Sequence, residues 1–285
     1  MTPKTPRIAI IVSGKTRCID RTVAFFNGWA ESADLFVVTN RADDPAQQAL
    51  LDLSKSWKFV EDLWELAEEE AALLKHPEGG KAAQWLKLAE AWRILEAYED
   101  EQGFRYDAVY KLRTDLHYVP GARLDHVRHL ASPDEIFMES DLAFGGSRKA
   151  FAIAAAFYSR LDYYWGDHLA FKPIPIGLML ASDPNAGRFH WFNYPKAMFP
   201  DLTRWDDEHS FRAELAARAD ELEIYNRDPG KVLDCFNGRG DLFRDLVFPS
   251  EPAFAHHLLT SGLTCQRMLW GLLEPASLME DRHSA

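Results

Sequence analysis

The stretch Tyr106–Tyr118, which reads YDAVYKLRTDLHY, decides the fold of this chain. Its first half, Ala108–Leu112, is a short run of apolar and β-prone residues, typical of a strand buried among other strands. After it, Arg113, Asp115 and His117 occupy alternate positions, and residues two apart in an extended chain point to one face. The pattern therefore predicts a buried strand that ends with a guanidinium, a carboxylate and an imidazole on one face.

The position of this polar triplet indicates a ligand site. In open α/β sheets, ligands bind in the crevice outside the carboxyl ends of the strands. A fixed cation beside a carboxylate and an imidazole suits a diphosphate with its divalent ion. The alternative is structural, because Arg-x-Asp after a strand can also be an ion pair that closes a loop.

The residues before this stretch predict a parallel sheet. Arg7–Val12 and Asp34–Thr39 read as buried strands, with an amphipathic helix at about Ile19–Glu31 between them. Strand, helix and strand in this order form a βαβ unit. A long helix is predicted at about Ala82–Glu101, where apolar residues recur at the helical period. The predicted fold class is α/β, with a mostly parallel, Rossmann-like sheet flanked by helices.

The rest of the chain predicts a few further elements and an irregular C-terminal half. A possible strand, a short helix, a strand and a helix are predicted at Trp57–Val60, Leu124–His129, Ile136–Met138 and Ser147–Tyr158. Lys172–Arg204 is rich in Pro, Asn, Gly and aromatic residues, which favours irregular structure that could serve as a lid or as a surface facing an acceptor substrate. We expect one continuous domain with two functional halves, residues 1–120 and 121–285.

Composition and charge argue against several classes of protein. The 285 residues carry a formal net charge of −12, with a pI near 5.3, which disfavours nucleic acid or an anionic membrane as a partner. No run approaches the ~20 apolar residues of a membrane span. Ile8–Val12 is too short for the core of a signal peptide. We therefore expect a cytoplasmic protein.

Ser13-Gly14-Lys15-Thr16, just after the first predicted strand, is like the end of a phosphate-binding P-loop. The full motif needs a glycine five residues before Gly14, but Ala9 stands there, inside the strand. A turn that caps the next helix and contacts a nucleotide is the better interpretation.

Asp115 and His117 have the chemistry of a divalent-ion site. A carboxylate oxygen and an imidazole nitrogen suit Mn²⁺ or Mg²⁺ when phosphate oxygens of a substrate complete the shell. His256 and His257 are further candidates, but adjacent helical residues point about 100° apart, so at most one could share a given site. A surface or capping role is the alternative for both.

Glu251 and Asp141 are the carboxylates considered for acid–base chemistry. A hydroxyl that attacks a sugar carbon is activated by a carboxylate that takes its proton. The structural alternatives are a favourable charge at a helix N-terminus for Glu251 and a loop cap before Gly145 for Asp141.

The order of these parts resembles that of bacterial GT-A-type glycosyltransferases of surface-polysaccharide synthesis. The likeness is greatest to WavE-type lipopolysaccharide proteins and related capsular enzymes, over residues 7–160 and weakly over 246–265. The residues that carry it are Ile10–Gly14 with Arg17, Asp34–Val37 with Thr39, Gln84–Tyr98, Tyr106–Val109, Arg113–Leu116, Asp141 with Phe144-Gly145, and Glu251 with His257-Leu258.

This resemblance implies transfer of a sugar from a nucleotide-diphosphate donor to a hydroxyl of a glycan or lipid-linked acceptor, with Mn²⁺ or Mg²⁺. Ser13-Gly14 and Arg17 would contact the nucleotide, Arg113 the diphosphate and Asp115 the metal. Asp115 takes the place of the last aspartate in the Asp-x-Asp signature of such enzymes, whereas Arg113 stands at its first position. A signature shifted by two residues, Asp115-x-His117, is the alternative.

Two other functions are compatible with these residues. A catalytically silent scaffold protein that binds a nucleotide sugar would share the fold without the base. Another phosphate-handling transferase would differ in the nucleotide that it binds.

Overall fold

A seven-stranded β-sheet with helices on both faces is the centre of the fold in this computed structural model. The structure describes residues 5–60, 79–121, 132–139, 141–161, 254, 257–258, 261–267 and 273–278. The strands are β1 (Ile8–Ser13), β2 (Asp34–Thr39), β3 (Ser54–Phe59), β4 (Ala108–Leu112), β5 (Leu116–Tyr118), β6 (Glu135–Glu139), β7 (Ala143–Ser147), β8 (Thr264–Arg267) and β9 (Leu273–Leu278). The helices are α1 (Ile19–Trp29), α2 (Pro45–Leu53), α3 (Gly79–Gln102) and α4 (Arg148–Ala155), and the last is followed by a 3₁₀ helix (Ala156–Arg160).

The strands of the large sheet lie in the order β3-β2-β1-β4-β7-β6-β8. The first four of these are parallel neighbours, whereas β7 runs antiparallel to β4 on one side and to β6 on the other. β5 and β9 pair antiparallel in a separate two-stranded sheet. The prediction of an α/β fold with a mostly parallel sheet is confirmed.

The helices bury both faces of the central strands, which is why β1 and β4 have no exposed residue. On one face, Ile10 and Tyr110 share a hydrophobic core with Phe26 of α1 and with residues of α2. On the other face, the ring of Phe36 meets that of Tyr98 in α3, with 5.5 Å between the centroids. α4 packs against α3 on that second face. The continuous apolar strands of the sequence are thus explained by burial on two sides.

A buried carboxylate joins three elements at the amino edge of the sheet. Glu99 of α3 accepts hydrogen bonds of 2.6–3.0 Å from the guanidinium of Arg148, the first residue of α4. It also accepts from the backbone N–H of Tyr106, at 2.9 Å. A buried charge needs such partners, because leaving it alone in the interior is strongly unfavourable. The polar groups of this network therefore satisfy one another.

Two helices begin at side-chain caps that are visible in the sequence. Asp44 accepts a 2.8 Å hydrogen bond from the N–H of Ala46, and Pro45 stands in the first turn of α2. Ser147 accepts from the N–H of Ala150 at 3.1 Å at the start of α4. Both are common N-terminal signals, yet α2 was not among the predicted elements.

The central stretch differs from its prediction after Leu112. β4 ends there, Thr114 and Asp115 form a turn, and β5 belongs to the small sheet. The predicted extended strand that continues to His117 is therefore wrong. The physical reason is that β4 pairs with β1 only as far as Leu112 and with β7 only as far as Lys111, so the backbone beyond has no ladder to join.

β7 was not predicted as a strand, because two adjacent glycines weaken the signal of Ala143–Ser147. In the sheet Gly145 pairs with Tyr110. The tyrosine ring occupies the space where a side chain of residue 145 would stand. Glycine is thus required by a close contact that the sequence pattern does not display.

The chain divides into two compact units, Met1–Tyr158 with Arg267–Ala285, and Ser159–Gln266. The predicted functional halves, residues 1–120 and 121–285, stay a prediction. The elements predicted at Leu124–His129 and Lys172–Arg204 lie outside the described residues. Among the described residues, no helix is both long and apolar enough to cross a membrane.

Gly145→Ala tests the close packing of β4 on β7. A Cβ at this position would lie 2.2 Å from Cδ1 of Tyr110 and 2.8 Å from the backbone oxygen of Val109. We expect the free energy of unfolding to fall by about 1–3 kcal/mol, as measured by urea denaturation. Gly28→Ala in α1 is the matched control, since its Cβ would meet nothing within 4 Å, and it should be neutral or slightly stabilising. Equal losses in the two variants would contradict this packing.

Candidate functional site

Polar side chains converge at the carboxyl edge of the large sheet. Ser13 ends β1, Asn40 follows β2 and Arg113 follows β4, so all three stand where adjacent parallel strands end. The register places Val12 opposite Leu112, which sets Ser13 level with Arg113. This is the edge at which α/β sheets bind their ligands.

Side-chain alternation puts the lysine of β4 on the face that α3 covers. Tyr110 belongs to the core on the α1 face, so Lys111 points to the opposite face. There α3 contributes Gln84 and Lys87, and the residues entering β7 contribute Asp141. We call this group the carboxyl-edge site; its members are Ser13, Asn40, Gln84, Lys87, Lys111, Arg113, Asp115 and Asp141.

Arg113 and Asp115 form a bidentate ion pair across the turn that follows β4. Nε of Arg113 donates to Oδ1 of Asp115 at 2.8 Å, and Nη2 donates to Oδ2 at 2.6 Å. The side chain of Arg113 is 26% exposed and that of Asp115 is 8% exposed. Burial lowers the pKa of Arg113, but the hydrogen bonds and charge of Asp115 more than offset this effect and leave the pKa raised. The guanidinium is thus a permanent cation held in one orientation.

The backbone of this turn is fixed from the α1 side. Thr22 of α1 donates a 2.8 Å hydrogen bond to the carbonyl of Thr114, and the hydroxyl of Tyr118 donates to the carbonyl of Arg113. The Tyr118 ring packs edge-on against that of Trp29, with 4.9 Å between the centroids. Tyr118 therefore links the apolar core to the backbone of the charged turn.

Lys111 is a buried lysine that contacts the residues leading into β7. Its Nζ donates to the carbonyl of Asp141 at 2.6 Å and to that of Leu142 at 3.0 Å, and it lies 5.6 Å from the ring centre of Phe144. Burial, and secondarily the neighbouring charge of Arg113, lower the pKa of Lys111 to about 7. The lysine holds the Asp141–Leu142 backbone in place near the carboxyl edge.

Two residues of α3 reach toward the loops of the carboxyl edge. Gln84 donates from Nε2 to Oδ2 of Asp141 at 3.0 Å, and Lys87 donates to Oδ1 of Asn40 at 2.8 Å. Asp141 and Lys87 are both buried. Oδ1 of Asp141 accepts no hydrogen bond from any residue that the structure describes. This leaves one carboxylate oxygen able to accept from a bound molecule.

Three buried hydroxyls at this edge, those of Ser13, Thr39 and Thr114, have no hydrogen-bond partner among the described residues. Ser13 is 7% exposed and stands on the α3 face, because Val12 faces the α1 core. An unsatisfied buried polar group costs about 1–3 kcal/mol. The Ser13 hydroxyl is thus available to a ligand, in contrast to the carboxylate of Glu99 at the amino edge.

The loop after β1 is shaped by a glycine and tied to the loop after β2. Gly14 has φ 117°, a region that favours glycine, and its N–H donates to the carbonyl of Val38 at 3.0 Å. Gln47 of α2 donates to Oγ1 of Thr16 at 2.7 Å and to the carbonyl of Asn40 at 3.0 Å. The two loops therefore hold each other in position.

The fold brings five of the predicted site residues to one edge; they are Ser13, Gly14, Arg113, Asp115 and Asp141. Arg17 lies in the turn before α1 and is exposed. His117 lies on β5, half-buried, and no hydrogen bond joins it to Asp115. Glu251 and His256 lie outside the described residues, and His257 is buried.

Sequence reasoning missed four members of the site, which are Asn40, Gln84, Lys87 and Lys111. Lys111 lies within the β-prone run that predicts β4, and Gln84 and Lys87 lie within the helical pattern that predicts α3. One signal was available, because a lysine within a doubly buried strand has to find polar partners. The partners themselves, the carbonyls of residues 141 and 142, follow from the pairing of β4 with β7.

The arrangement of these residues does not fit a divalent-ion centre. Each oxygen of Asp115 already accepts from Arg113, and the charges of Arg113 and Lys111 stand beside it. No group of three Asp, Glu, His or Cys side chains able to hold a metal occurs within the described ranges. Divalent-ion sites normally combine several anionic or neutral oxygen ligands, and Asp115 offers no oxygen that is not already hydrogen-bonded to Arg113.

No protein-family model matches this chain, and neither does any curated protein. The resemblance to glycosyltransferases stays a prediction.

Lys111→Met tests the buried lysine through the pH dependence of stability. In the unfolded chain the pKa of Lys111 returns to its ordinary value near 10.5. Between pH 7 and about 10 the unfolded state therefore holds a proton that the folded state has lost, and the free energy of unfolding rises with pH. From pH 7 to 9 the wild type should gain roughly 2 kcal/mol more than Lys111→Met, by urea denaturation at each pH. Parallel stability curves would show that Lys111 does not titrate in this window.

Proposed function

We propose that this protein is a GT-A-like glycosyltransferase that moves a sugar from a nucleotide-diphosphate donor to a hydroxyl of a glycan or lipid-linked acceptor. The observation that carries the proposal is the convergence of Ser13, Arg113 and Asp141 at the carboxyl edge of adjacent strands. A cytoplasmic location belongs to the same proposal.

The charge of the carboxyl-edge site favours a compact anion as the ligand. Arg113 and Lys87, together with Lys111 when it is protonated, bring positive charge to this edge in a chain whose net charge is −12. Long polyanions are repelled by the acidic surface, whereas a small diphosphate meets the local cations. Guanidinium groups match phosphate oxygens in geometry, so Arg113 is the group that receives the diphosphate.

The transfer step follows from where the charges stand. The acceptor oxygen forms a bond to the anomeric carbon while the bond from that carbon to the diphosphate oxygen breaks. The proton of the acceptor hydroxyl passes to a carboxylate, for which Asp141 is the described candidate and Glu251 the other. The nucleoside diphosphate departs with the bonding electron pair, and the cation of Arg113 stabilises the charge that develops on it.

Ser13→Ala tests donor binding at the carboxyl-edge site. The hydroxyl has no partner among the described residues, so its removal should leave the melting temperature of the free protein unchanged or raised. The affinity for a nucleotide sugar, found with a panel of UDP, GDP, dTDP and CMP sugars, should fall roughly 5–10-fold. Calorimetry measures the affinity for the nucleotide sugar, and a thermal-shift assay measures the melting temperature.

Ser32→Ala is the control for Ser13→Ala, because Ser32 follows α1 and donates to the carbonyl of Trp29. It should not alter donor affinity. If no nucleotide sugar raises the melting temperature of the wild type, the proposed function is wrong. If the wild type is stabilised only by nucleotides that carry no sugar, another phosphate-handling transferase would be favoured.

Asp141→Asn tests the proton acceptor. The amide keeps an oxygen that can accept from Gln84, so donor binding should persist, while kcat for sugar transfer should fall by about 100-fold or more. An unchanged kcat would assign the base elsewhere, with Glu251→Gln as the next variant. Donor binding by the wild type with no turnover on any glycan or lipid-linked acceptor would favour the scaffold alternative.

A further inference from the structure

We propose that Asp115 is a positioning residue that orients the guanidinium of Arg113 toward the donor diphosphate, and that this cation neutralises the leaving group without a divalent ion. This inference rests on the proposed function and deepens it. It gives Asp115 a role different from the metal ligand expected from the sequence.

The hydrogen bonds of the pair leave the outer edge of Arg113 open. A guanidinium has five N–H groups, and Asp115 takes one from Nε and one from Nη2. The remaining three have no partner among the residues that the structure describes. Arg113 is the more exposed partner, with 26% of its side chain exposed against 8% for Asp115, so part of the Arg113 side chain is accessible to a ligand.

The position of Arg113 is fixed at both its backbone and its side chain. The carbonyl of Arg113 accepts from Tyr118 and that of Thr114 accepts from Thr22, so the turn is held against α1. Asp115 then fixes the plane of the guanidinium. A group that is held before the ligand arrives loses little conformational freedom on binding.

The neighbouring charges favour an anion over a metal ion. Lys111 is buried nearby, and its pKa is lowered first by burial and second by the positive charge of Arg113. A divalent cation on Asp115 would add positive charge beside the guanidinium of Arg113, whereas a diphosphate would offset the charge already there. The open hydroxyl of Ser13, level with Arg113, supplies a neutral donor to the same anion.

A metal-free site and a metal site differ in their response to chelation. UDP, GDP and inorganic pyrophosphate serve as probes, titrated by calorimetry into the full chain in EDTA and in Mn²⁺. We expect at least one probe to bind in EDTA with an affinity within about threefold of that in Mn²⁺. Binding that requires Mn²⁺, or no binding of any probe in either condition, would overturn the inference.

A double-mutant cycle isolates the role of Asp115. Arg113→Ala should weaken binding of the probe by about 10–100-fold, in line with the loss of charge-assisted hydrogen bonds. Arg113→Lys should recover little of the lost affinity, because an ammonium cannot donate the two parallel hydrogen bonds that a planar guanidinium donates to a phosphate. Asp115→Asn should weaken binding severalfold in the wild type but less than about twofold in Arg113→Ala. An equal effect of Asp115→Asn in both backgrounds would show that Asp115 acts independently of Arg113.

Arg105→Ala is the matched control, because it breaks another Arg–Asp pair, with 2.5 Å between Nη2 of Arg105 and Oδ1 of Asp100, just before β4. It should leave probe affinity unchanged. Urea denaturation of each variant separates loss of binding from loss of folding, and a purely loop-closing pair would lower stability without changing the affinity of the folded protein.

The two proposals fail in different ways. Nucleotide sugars that bind and turn over only with Mn²⁺ would overturn the positioning role and leave the glycosyltransferase proposal standing. If pyrophosphate binds equally well in EDTA but no nucleotide sugar binds, the positioning role of Asp115 would stand and the glycosyltransferase proposal would be wrong.

Discussion

The hydrogen bonds on both sides of β4 are the constraint on which the rest of the structure depends. β4 pairs in parallel with β1 as far as Leu112 and antiparallel with β7 as far as Lys111. Because the ladder stops there, the backbone turns and brings Arg113 and Asp115 into a bidentate pair.

The buried polar groups at the two edges of the sheet differ in whether they have hydrogen-bond partners. At the amino edge, Glu99 is buried but accepts four hydrogen bonds from Arg148 and Tyr106. At the carboxyl edge, the hydroxyl of Ser13 lacks a partner among the described residues, and burial lowers the pKa of Lys111. Natural proteins depart from full satisfaction mainly where they function, which is why the carboxyl edge is the candidate site.

The charge balance of the chain and that of the site carry different information. A net charge of −12 excludes binding to long polyanions through a general basic surface, but it says nothing about a local cluster. The cluster depends on Arg113 being held by Asp115 and on Lys87 and Lys111 being held by carbonyl or amide oxygens. A residue such as Asp115 can thus serve an anion site by holding a cation, although its own charge has the wrong sign.

The sequence by itself determined the α/β class, the positions of β1, β2 and β4, and the presence of charged residues after Leu112, because doubly buried strands need continuous apolar runs. It also placed Ser13 and Gly14 at the end of the first strand and Arg113 just after Leu112, where they are found. Only the tertiary structure decided that the chain turns at Thr114, that Gly145 admits the ring of Tyr110, and that Lys111 meets the carbonyls before β7. Those features depend on where the ladders with β1 and β7 stop, and the pairing partner of a strand is not encoded within the strand itself.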